Sequence, residues 1–198
     1  MGHHEGMEPT EGAPTRHLWL LRHGKAASDA PRGGNDRDRP LTGRGRRDAS
    51  ALGARLSVPG SLRGADQVPP PQLVICSSAV RTRQTAALVV QAMGQDLPID
   101  SFDALYGAQP DLVLQYVREV DEEVASVLVV GHNPTVYQLA WQLLVERQAD
   151  GGDGDDRARL EAQGFPTCAL ALLRLEVASW EDVTDGCASL TTVRTPPY

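Results

Sequence analysis

The sequence predicts an α/β fold in which a mostly parallel sheet lies between two layers of helices. Three short, continuous apolar runs cover residues 18–21, 73–76 and 127–130. Continuous apolar runs of this length are typical of strands buried on both faces, as in a parallel sheet. A segment with helical spacing of apolar residues follows each run, and this alternation is expected of a three-layer α/β/α sandwich.

The composition indicates one globular domain. The chain has 198 residues, of which 41% are hydrophobic and 23% are charged, and this balance excludes a disordered or fibrous protein. Residues 1–15 are rich in Gly, Pro and Glu, so we predict a disordered N-terminal tail and a single domain over residues 16–198. The formal net charge of -7 argues against a general nucleic-acid-binding protein, which is basic over its footprint.

Cysteine content and hydropathy indicate the compartment. The three cysteines, Cys76, Cys168 and Cys187, are odd in number and form no Cys-x-x-Cys pair, so we predict neither a disulfide framework nor a zinc knuckle. No apolar run approaches the roughly 20 residues that a membrane span needs, and the first residues lack the apolar centre of a signal peptide. We therefore expect a cytoplasmic protein with free thiols and no membrane partner.

The first half of the chain contains two predicted strands, each followed by a helix. Thr42 can accept a hydrogen bond from an unpaired amide as an N-cap, and apolar residues recur after it, so the first helix is predicted over residues 43–56. A Gly- and Pro-rich connection leads to the second strand, after which Ser78 is predicted to cap a helix ending at Met93. Residues 97–110 are predicted to be irregular.

The second half of the chain adds two helices and three strands to this pattern. Pro110 suits the first position of a third helix, and Val136 and Leu139 mark the helix after the third strand. Residues 150–156 form a Gly/Asp insert, predicted as a solvated loop because it lacks the full spacing and terminal Glu of an EF-hand calcium loop. Residues 169–175 and 188–193 are predicted to be two closing strands.

Each of the three apolar runs leads into polar residues. The first ends in Arg22, His23 and Gly24. The second leads to Arg81 in the first turn of the next helix, and the third leads to His132. Because the carboxyl ends of parallel strands lie at one sheet edge, these side chains are expected to meet there. Arginine matches phosphate oxygens and neutral histidine can attack phosphorus, so the sequence predicts phosphoryl transfer through an enzyme-bound phosphohistidine.

Single members of this set have simpler explanations. His132 can be a structural histidine with satisfied hydrogen bonds, and Arg81 can be a surface arginine, although a cation at a helix start is unfavourable for the helix dipole. The other basic residues nearby are more often solvated charges than ligands; they are Lys25, Arg37, Arg39 and Arg44. The coincidence of two arginines and two histidines at one edge favours the anion pocket.

Four segments of the chain resemble the histidine phosphatase superfamily, and they occur in the family's order. The segments are Leu21-Arg22-His23-Gly24-Lys25-Ala26, Asp38-Arg39-Pro40-Leu41-Thr42-Gly43-Arg44-Gly45, Ser77-Ser78 through Arg81-Thr82-Arg83-Gln84-Thr85-Ala86, and Val130-Gly131-His132-Asn133-Pro134. The chain is most similar to the short SixA-type phosphohistidine phosphatases, over about residues 18–175. The resemblance implies a phosphoglycerate mutase-like fold.

The resemblance also implies a role for each site residue. His23 is the implied nucleophile, and the Gly24 carbonyl fixes its tautomer by accepting from the other ring nitrogen. No metal or cofactor is implied. The residues implied to bind the phosphoryl group or hold the pocket are Arg22, Gly24, Arg81, Thr82, His132 and Asn133.

The proton donor is not fixed by the sequence. Larger branches of the superfamily carry a glutamate or aspartate between the second helix and the third strand, and Asp103 occupies that region, with Tyr106 nearby. Asp36 and Asp38, in the loop after His23, are rival candidates. Asp103 is equally well explained as a turn residue.

The preferred substrate is a phosphohistidine on a protein domain, because short loops around the site leave the pocket open to a folded partner. A small phosphomonoester is the alternative substrate, and a noncatalytic phosphate-binding module is the alternative class of function. A phosphoglycerate mutase-like transferase is disfavoured, since the chain is short for the insertions that would enclose a sugar phosphate. No Gly-x-x-x-x-Gly-Lys-Ser/Thr stretch is present, which excludes a P-loop nucleotide hydrolase.

Overall fold

The computed structural model describes residues 15–58, 60, 68–144 and 154–198, except for the side chains of residues 154 and 155. Its strands are β1 (Arg16–Arg22), β2 (Leu73–Ser77), β3 (Ile99–Phe102), β4 (Ser126–Gly131), β5 (Leu170–Leu175) and β6 (Ala188–Arg194). Its α-helices are α1 (Gly43–Leu56), α2 (Val80–Met93), α3 (Pro110–Arg118), α4 (Thr135–Leu143) and α5 (Gly154–Gln163).

The strands form one sheet in the order β3-β2-β4-β1-β5-β6. The pairs β1–β4, β2–β4 and β2–β3 are parallel, whereas β5 runs antiparallel to both β1 and β6. In the register of β1 and β4, Arg22 lies opposite Gly131. The carboxyl ends of β1 and β4 are therefore neighbours, and the predicted mostly parallel sheet is confirmed.

Helices cover both faces of the sheet, which explains why its strands read as continuous apolar runs. Along β1, Leu18 and Leu20 pack in a core cluster with residues of α3 and α4. Trp19 and Leu21 point to the opposite face and pack with residues of α1 and α2. The arrangement is the predicted three-layer α/β/α sandwich.

The predicted first helix is confirmed at both ends, and Thr42 is its N-cap, because its hydroxyl accepts from the amide of Gly45. The capping role predicted for Ser78 is wrong. Ala79 occupies the N-cap position of α2 without a side-chain bond, and the hydroxyl of Ser78 instead donates to Asp103. A capping hydroxyl must reach the loose amides of the first turn, and that of Ser78 is engaged elsewhere.

Two further segments differ from the prediction. Residues 97–110 contain the edge strand β3 and a short 3-10 helix, Asp103–Leu105. The predicted loop at 150–156 is wrong for residues 154–156, which begin α5, and its first four residues lie outside the described residues. Residues 1–14 of the predicted tail also lie outside them.

The three cysteines are free thiols, and Cys76 and Cys168 are buried. Burial raises the pKa of the Cys76 thiol to about 11 and that of the Cys168 thiol to about 12. Within the described part of the chain, no helix combines the length and the apolar character that crossing a membrane requires.

Candidate active site

A cavity of about 440 Å³ lies at the carboxyl edge of the parallel strands. Arg22 and His23 enter it from the end of β1, His132 from the end of β4, and Arg81 from the first turn of α2. The structure thus brings together the two arginines and two histidines that the sequence predicted to meet. The described residues that line it are Arg22, His23, Lys25, Ala26, Arg39, Arg81, Tyr106, Gly107, His132, Asn133 and Thr167.

His23 is held in one tautomer by its own neighbour. Its Nδ1 lies 2.7 Å from the carbonyl oxygen of Gly24. A carbonyl can only accept, so Nδ1 carries the ring proton and Nε2 of the neutral ring keeps its lone pair. Burial is the largest cause that lowers the pKa of His23 to about 4, and the nearby cations Arg81 and Arg22 contribute to the same shift, so the ring is neutral at pH 7.

The backbone around His23 is fixed on both sides. Its amide donates to the carbonyl of Gly131 over 3.0 Å, and its carbonyl accepts from the amide of Cys168 over 3.1 Å. The next residue must be small, since a β-carbon at Gly24 would lie 2.8 Å from the carbonyl oxygen of Gly45 in α1. The end of β1 therefore packs directly against the start of α1.

His132 faces His23 across the cavity, with the ring centroids 5.2 Å apart. Its Nε2 lies 2.9 Å from the hydroxyl of Ser77, which also accepts from the Ala79 amide over 3.4 Å. A hydroxyl has one proton and two lone pairs, so Ser77 can hydrogen-bond with either tautomer of the neutral His132 ring. Burial, with His23 and Arg81 beside it, lowers the pKa of His132 to about 3.

The two predicted phosphate-binding arginines are held by protein acceptors. Arg22 donates through Nη1 to the carbonyl of Phe165 over 2.8 Å. Arg81, whose side chain is almost fully buried, donates to the carbonyl of Asp36 over 2.7 Å and to its carboxylate over 3.0 Å. Each guanidinium has further N–H groups, so these bonds orient it without using all its donors.

Asp36 is the centre of a hydrogen-bond network that includes three residues of the cavity lining. Its carboxylate accepts from Arg81, from Arg39 and from the phenol of Tyr106. The Tyr106 hydrogen bond, followed by the contributions of Arg39 and Arg81, lowers the pKa of Asp36 to about 2. Asp36 is therefore ionised at neutral pH.

None of the three acidic candidates, Asp36, Asp38 and Asp103, is among the described residues that line the cavity. Asp103 is exposed, accepts from the Ser78 hydroxyl and pairs with Arg37 at 3.4 Å. Asp38 accepts from the backbone amide of Asn35. Thr82, predicted to bind substrate, is buried and donates to the carbonyl of Ser77 over 2.6 Å, so it fixes the turn between β2 and α2.

The sequence prediction missed several lining residues. Arg39 was predicted to be a solvated charge, although its place in the segment 38–45 was a signal for the site. No sequence signal marked Thr167, because it lies just before β5 and reaches the cavity only since β5 runs antiparallel to β1. Since β5 runs antiparallel to β1, its amino end lies beside the carboxyl end of β1, where the Arg22 amide donates to the Ala169 carbonyl over 3.0 Å.

Comparisons with known proteins agree with this geometry. Residues 18–106 match the family model of the histidine phosphatase superfamily, branch 1. An uncharacterised protein of Mycobacterium tuberculosis is 38% identical over 176 residues, which cover 89% of this chain and 99% of that protein.

Two solved structures extend the similarity to the fold. A putative phosphohistidine phosphatase SixA from Nakamurella multipartitia is 33% identical, with a TM-score of 0.74, over 95% of this chain and 100% of that chain. The protein histidine phosphatase SixA complexed with tungstate is 25% identical, with a TM-score of 0.66, over 91% of this chain and 97% of that chain. The chain belongs to the histidine phosphatase superfamily, in its SixA-type branch, and is a phosphatase with a phosphoglycerate mutase-like fold.

Proposed function

We propose that this phosphatase removes the phosphoryl group from phosphohistidine on a protein, through a covalent phosphohistidine at His23. The observation that carries the proposal is the 2.7 Å contact between Nδ1 of His23 and the Gly24 carbonyl. It leaves Nε2 as an unprotonated nucleophile in a cavity that also holds two arginines and a second neutral histidine.

In the first step, Nε2 of His23 attacks phosphorus and the P–N bond of the substrate breaks. The electron pair of that bond goes to the leaving imidazole nitrogen, which takes a proton from water. Arg22, Arg81 and His132 donate hydrogen bonds to the phosphoryl oxygens and balance their charge in the in-line transition state.

In the second step, water attacks the phosphorus of the phosphorylated His23. The new P–O bond replaces the P–N bond, whose electron pair returns to Nε2 of His23. The attacking water releases one proton to bulk water, which balances the proton taken up in the first step, and inorganic phosphate leaves. Imidazole departs more readily than an alkoxide, so a phosphohistidine substrate needs little help from a general acid. The proposal therefore gives Asp103, which lies outside the cavity lining, no step in the reaction.

The exposed mouth of the cavity supports a protein substrate. Lys25, Gly107 and Asn133 line the cavity and are themselves exposed, so a folded partner can approach this rim. The SixA structure that holds tungstate, a tetrahedral oxyanion, supports a phosphoryl group as the part of the substrate that enters the cavity.

The test measures phosphate release, with a chelator present, from a histidine-phosphorylated carrier domain and from a panel of small phosphomonoesters. We expect the wild type to prefer the carrier and His23→Asn to lose at least about a thousandfold in turnover, because a lost nucleophile costs on this scale or more. His17→Asn is the matched control, since His17 lies on β1, the strand that leads to His23, and is outside the cavity lining.

Rapid quenching should also trap acid-labile radiolabelled phosphate on the wild type and on His17→Asn, but not on His23→Asn. Preference for one small ester would make the enzyme a metabolite phosphatase acting at the same site. Turnover by a folded His23→Asn variant would disprove the nucleophile assignment, and the thermal unfolding temperature reports whether that variant is folded.

A further inference from the structure

The chain contains one lysine and eighteen arginines, and that lysine, Lys25, lines the cavity. Arginine presents a rigid planar fork that suits a fixed partner such as a phosphoryl group. Lysine presents a compact charge on a flexible four-carbon stem, which can follow a partner whose position varies. The flexible lysine side chain of this sequence therefore lies at the rim of the site.

The backbone of Lys25 is clamped while its side chain is exposed. Its carbonyl accepts from the Thr42 amide over 2.8 Å and from the Thr42 hydroxyl over 3.0 Å. A β-carbon at Gly45 would lie only 2.3 Å from the same carbonyl oxygen, so the start of α1 packs tightly against it. The ammonium group thus extends from a fixed point.

Lys25 also differs from the three arginines of the cavity lining in its hydrogen-bond partners. Arg22, Arg39 and Arg81 each donate to protein oxygens. Among the residues that the structure describes, the ammonium of Lys25 has no hydrogen-bond or ion-pair partner. Its charge is available to a molecule that enters the cavity.

A bound phosphoryl group does not neutralise all the positive charge of the cavity lining. The lining carries four formal positive charges, one of which is neutralised by Asp36 beside Arg39 and Arg81. A phosphoryl group brings up to about two negative charges. One positive charge therefore remains when the phosphoryl group is bound, and Lys25 is the lining cation that has no partner in the described part of the chain.

We propose that Lys25 binds a carboxylate beside the phosphohistidine of the protein substrate, so that this enzyme selects phosphohistidines flanked by Asp or Glu. This inference rests on the proposed function and names the substrate feature read at the same site. The chain is acidic overall, with a formal net charge of -7, so it repels acidic partners except where the cavity presents its cations.

The experiment uses two synthetic phosphohistidine peptides, one with Glu on both sides of the phosphohistidine and one with Gln in the same places. The readout is the ratio of kcat/KM for the acidic peptide to kcat/KM for the neutral peptide. We expect the wild type to favour the acidic peptide about three- to fivefold, the scale of an exposed ion pair. Lys25→Gln should bring the ratio close to one, Lys25→Glu should invert it, and Lys25→Arg should keep it above one.

Arg32→Glu is the matched control, because it makes the same charge reversal at an exposed position outside the cavity lining. This variant should retain the wild-type ratio. If Lys25→Gln keeps the wild-type ratio, or if Arg32→Glu inverts it as Lys25→Glu does, the inference is overturned. The proposed function would still stand in either case, provided that His23→Asn remains inactive on both peptides.

Discussion

His23 and His132 are partly buried at the candidate site, and they stay neutral because desolvation and neighbouring cations disfavour the protonated ring. Burial is the largest cause of the lowered pKa of both His23 and His132, and Arg81 adds to each. A neutral imidazole with a fixed Nδ1 proton needs no separate base to become a nucleophile. The same desolvation strengthens every interaction between the arginines and a bound anion.

The lowered pKa values predict how stability depends on pH. The pKa of His23 is about 4 in the folded protein, below its ordinary 6.5, so the unfolded chain takes up the proton first as the pH falls. The free energy of unfolding should be fully retained above about pH 6.5 and should decline between about pH 6.5 and pH 4. Urea unfolding at pH 7 and pH 5 measures this loss.

In the same measurement, His23→Asn should lose less stability between the two pH values than the wild type loses. NMR titration of the His23 ring in the free enzyme gives an independent value. A His23 midpoint near 6.5 would contradict the lowered pKa of this neutral nucleophile.

Tyr106 is predicted to control the charge of Asp36. The phenol hydrogen bond is the largest cause of the lowered pKa of Asp36, so Tyr106→Phe should raise that pKa from about 2 towards its ordinary value of 3.8. Carboxyl NMR titration measures the change. Tyr116→Phe is the control, since its ring packs on Phe102 rather than against Asp36. An unchanged Asp36 titration in Tyr106→Phe would show that the phenol does not hold the carboxylate.

At the scale of elements, α1 and α2 approach each other closely at a glycine. A β-carbon at Gly53 would lie 2.3 Å from the carbonyl oxygen of Val89 and 2.8 Å from the β-carbon of Ala92. Both contacts are on α2, and one of them is backbone that cannot rotate away. This packing sets the distance between the two helices that follow β1 and β2 and lead from the cavity.

Gly53→Ala should therefore lower the free energy of unfolding by about 1–3 kcal/mol, the cost of overpacking a close contact. Gly43→Ala, at the exposed start of the same helix, should change it by less than about 1 kcal/mol, because a β-carbon there has only an arginine side chain within reach at 3.5 Å. Denaturant unfolding of both variants checks the difference. Equal losses of unfolding free energy in the two variants would show that α1 and α2 can move apart without a loss of stability.

The elements also show which local signals are reliable in this sequence. The bounds of α1 were predictable because Thr42 caps it and its buried positions, Ala49 and Leu52, recur at helical spacing. The strand β3 was not, because its residues Ile99–Phe102 are mostly exposed at the sheet edge and lack a continuous apolar run. Edge position is decided by pairing with β2, which no pattern within four residues can indicate.

In the whole molecule, some residues of the candidate site were predictable from the sequence and others were not. Arg22, His23 and His132 follow buried parallel strands, and the rule that such strands end at one edge was enough to group them. Asp36 and Tyr106 reach the site through loops whose paths depend on long-range contacts. Thr167 joins it because β5 reverses direction beside β1.

The contrast between an acidic chain and a cationic cavity predicts a salt-dependent reaction. Raising the ionic strength from 0.1 M to 1 M shortens the screening length from about 10 Å to about 3 Å. For the phosphorylated carrier domain, kcat/KM should fall with salt more steeply than kcat, since steering acts on the encounter and not on the bound complex. Steady-state kinetics over this range test the expectation.

Chloride can compete for an anion site, so the control repeats the series with potassium glutamate at equal ionic strength. A fall of kcat/KM in chloride alone would indicate competition rather than screening. No dependence in either salt would contradict electrostatic steering by the cavity.

An endoproteinase that cleaves after lysine can cut this chain once, between Lys25 and Ala26, because the sequence has no second lysine. The carbonyl at that bond is hydrogen-bonded to Thr42, so the folded turn resists entry into a protease cleft. Cleavage must wait until the turn and the start of α1 separate. The rate of cleavage after Lys25 thus reports how often the backbone opens locally, two residues from the proposed nucleophile His23.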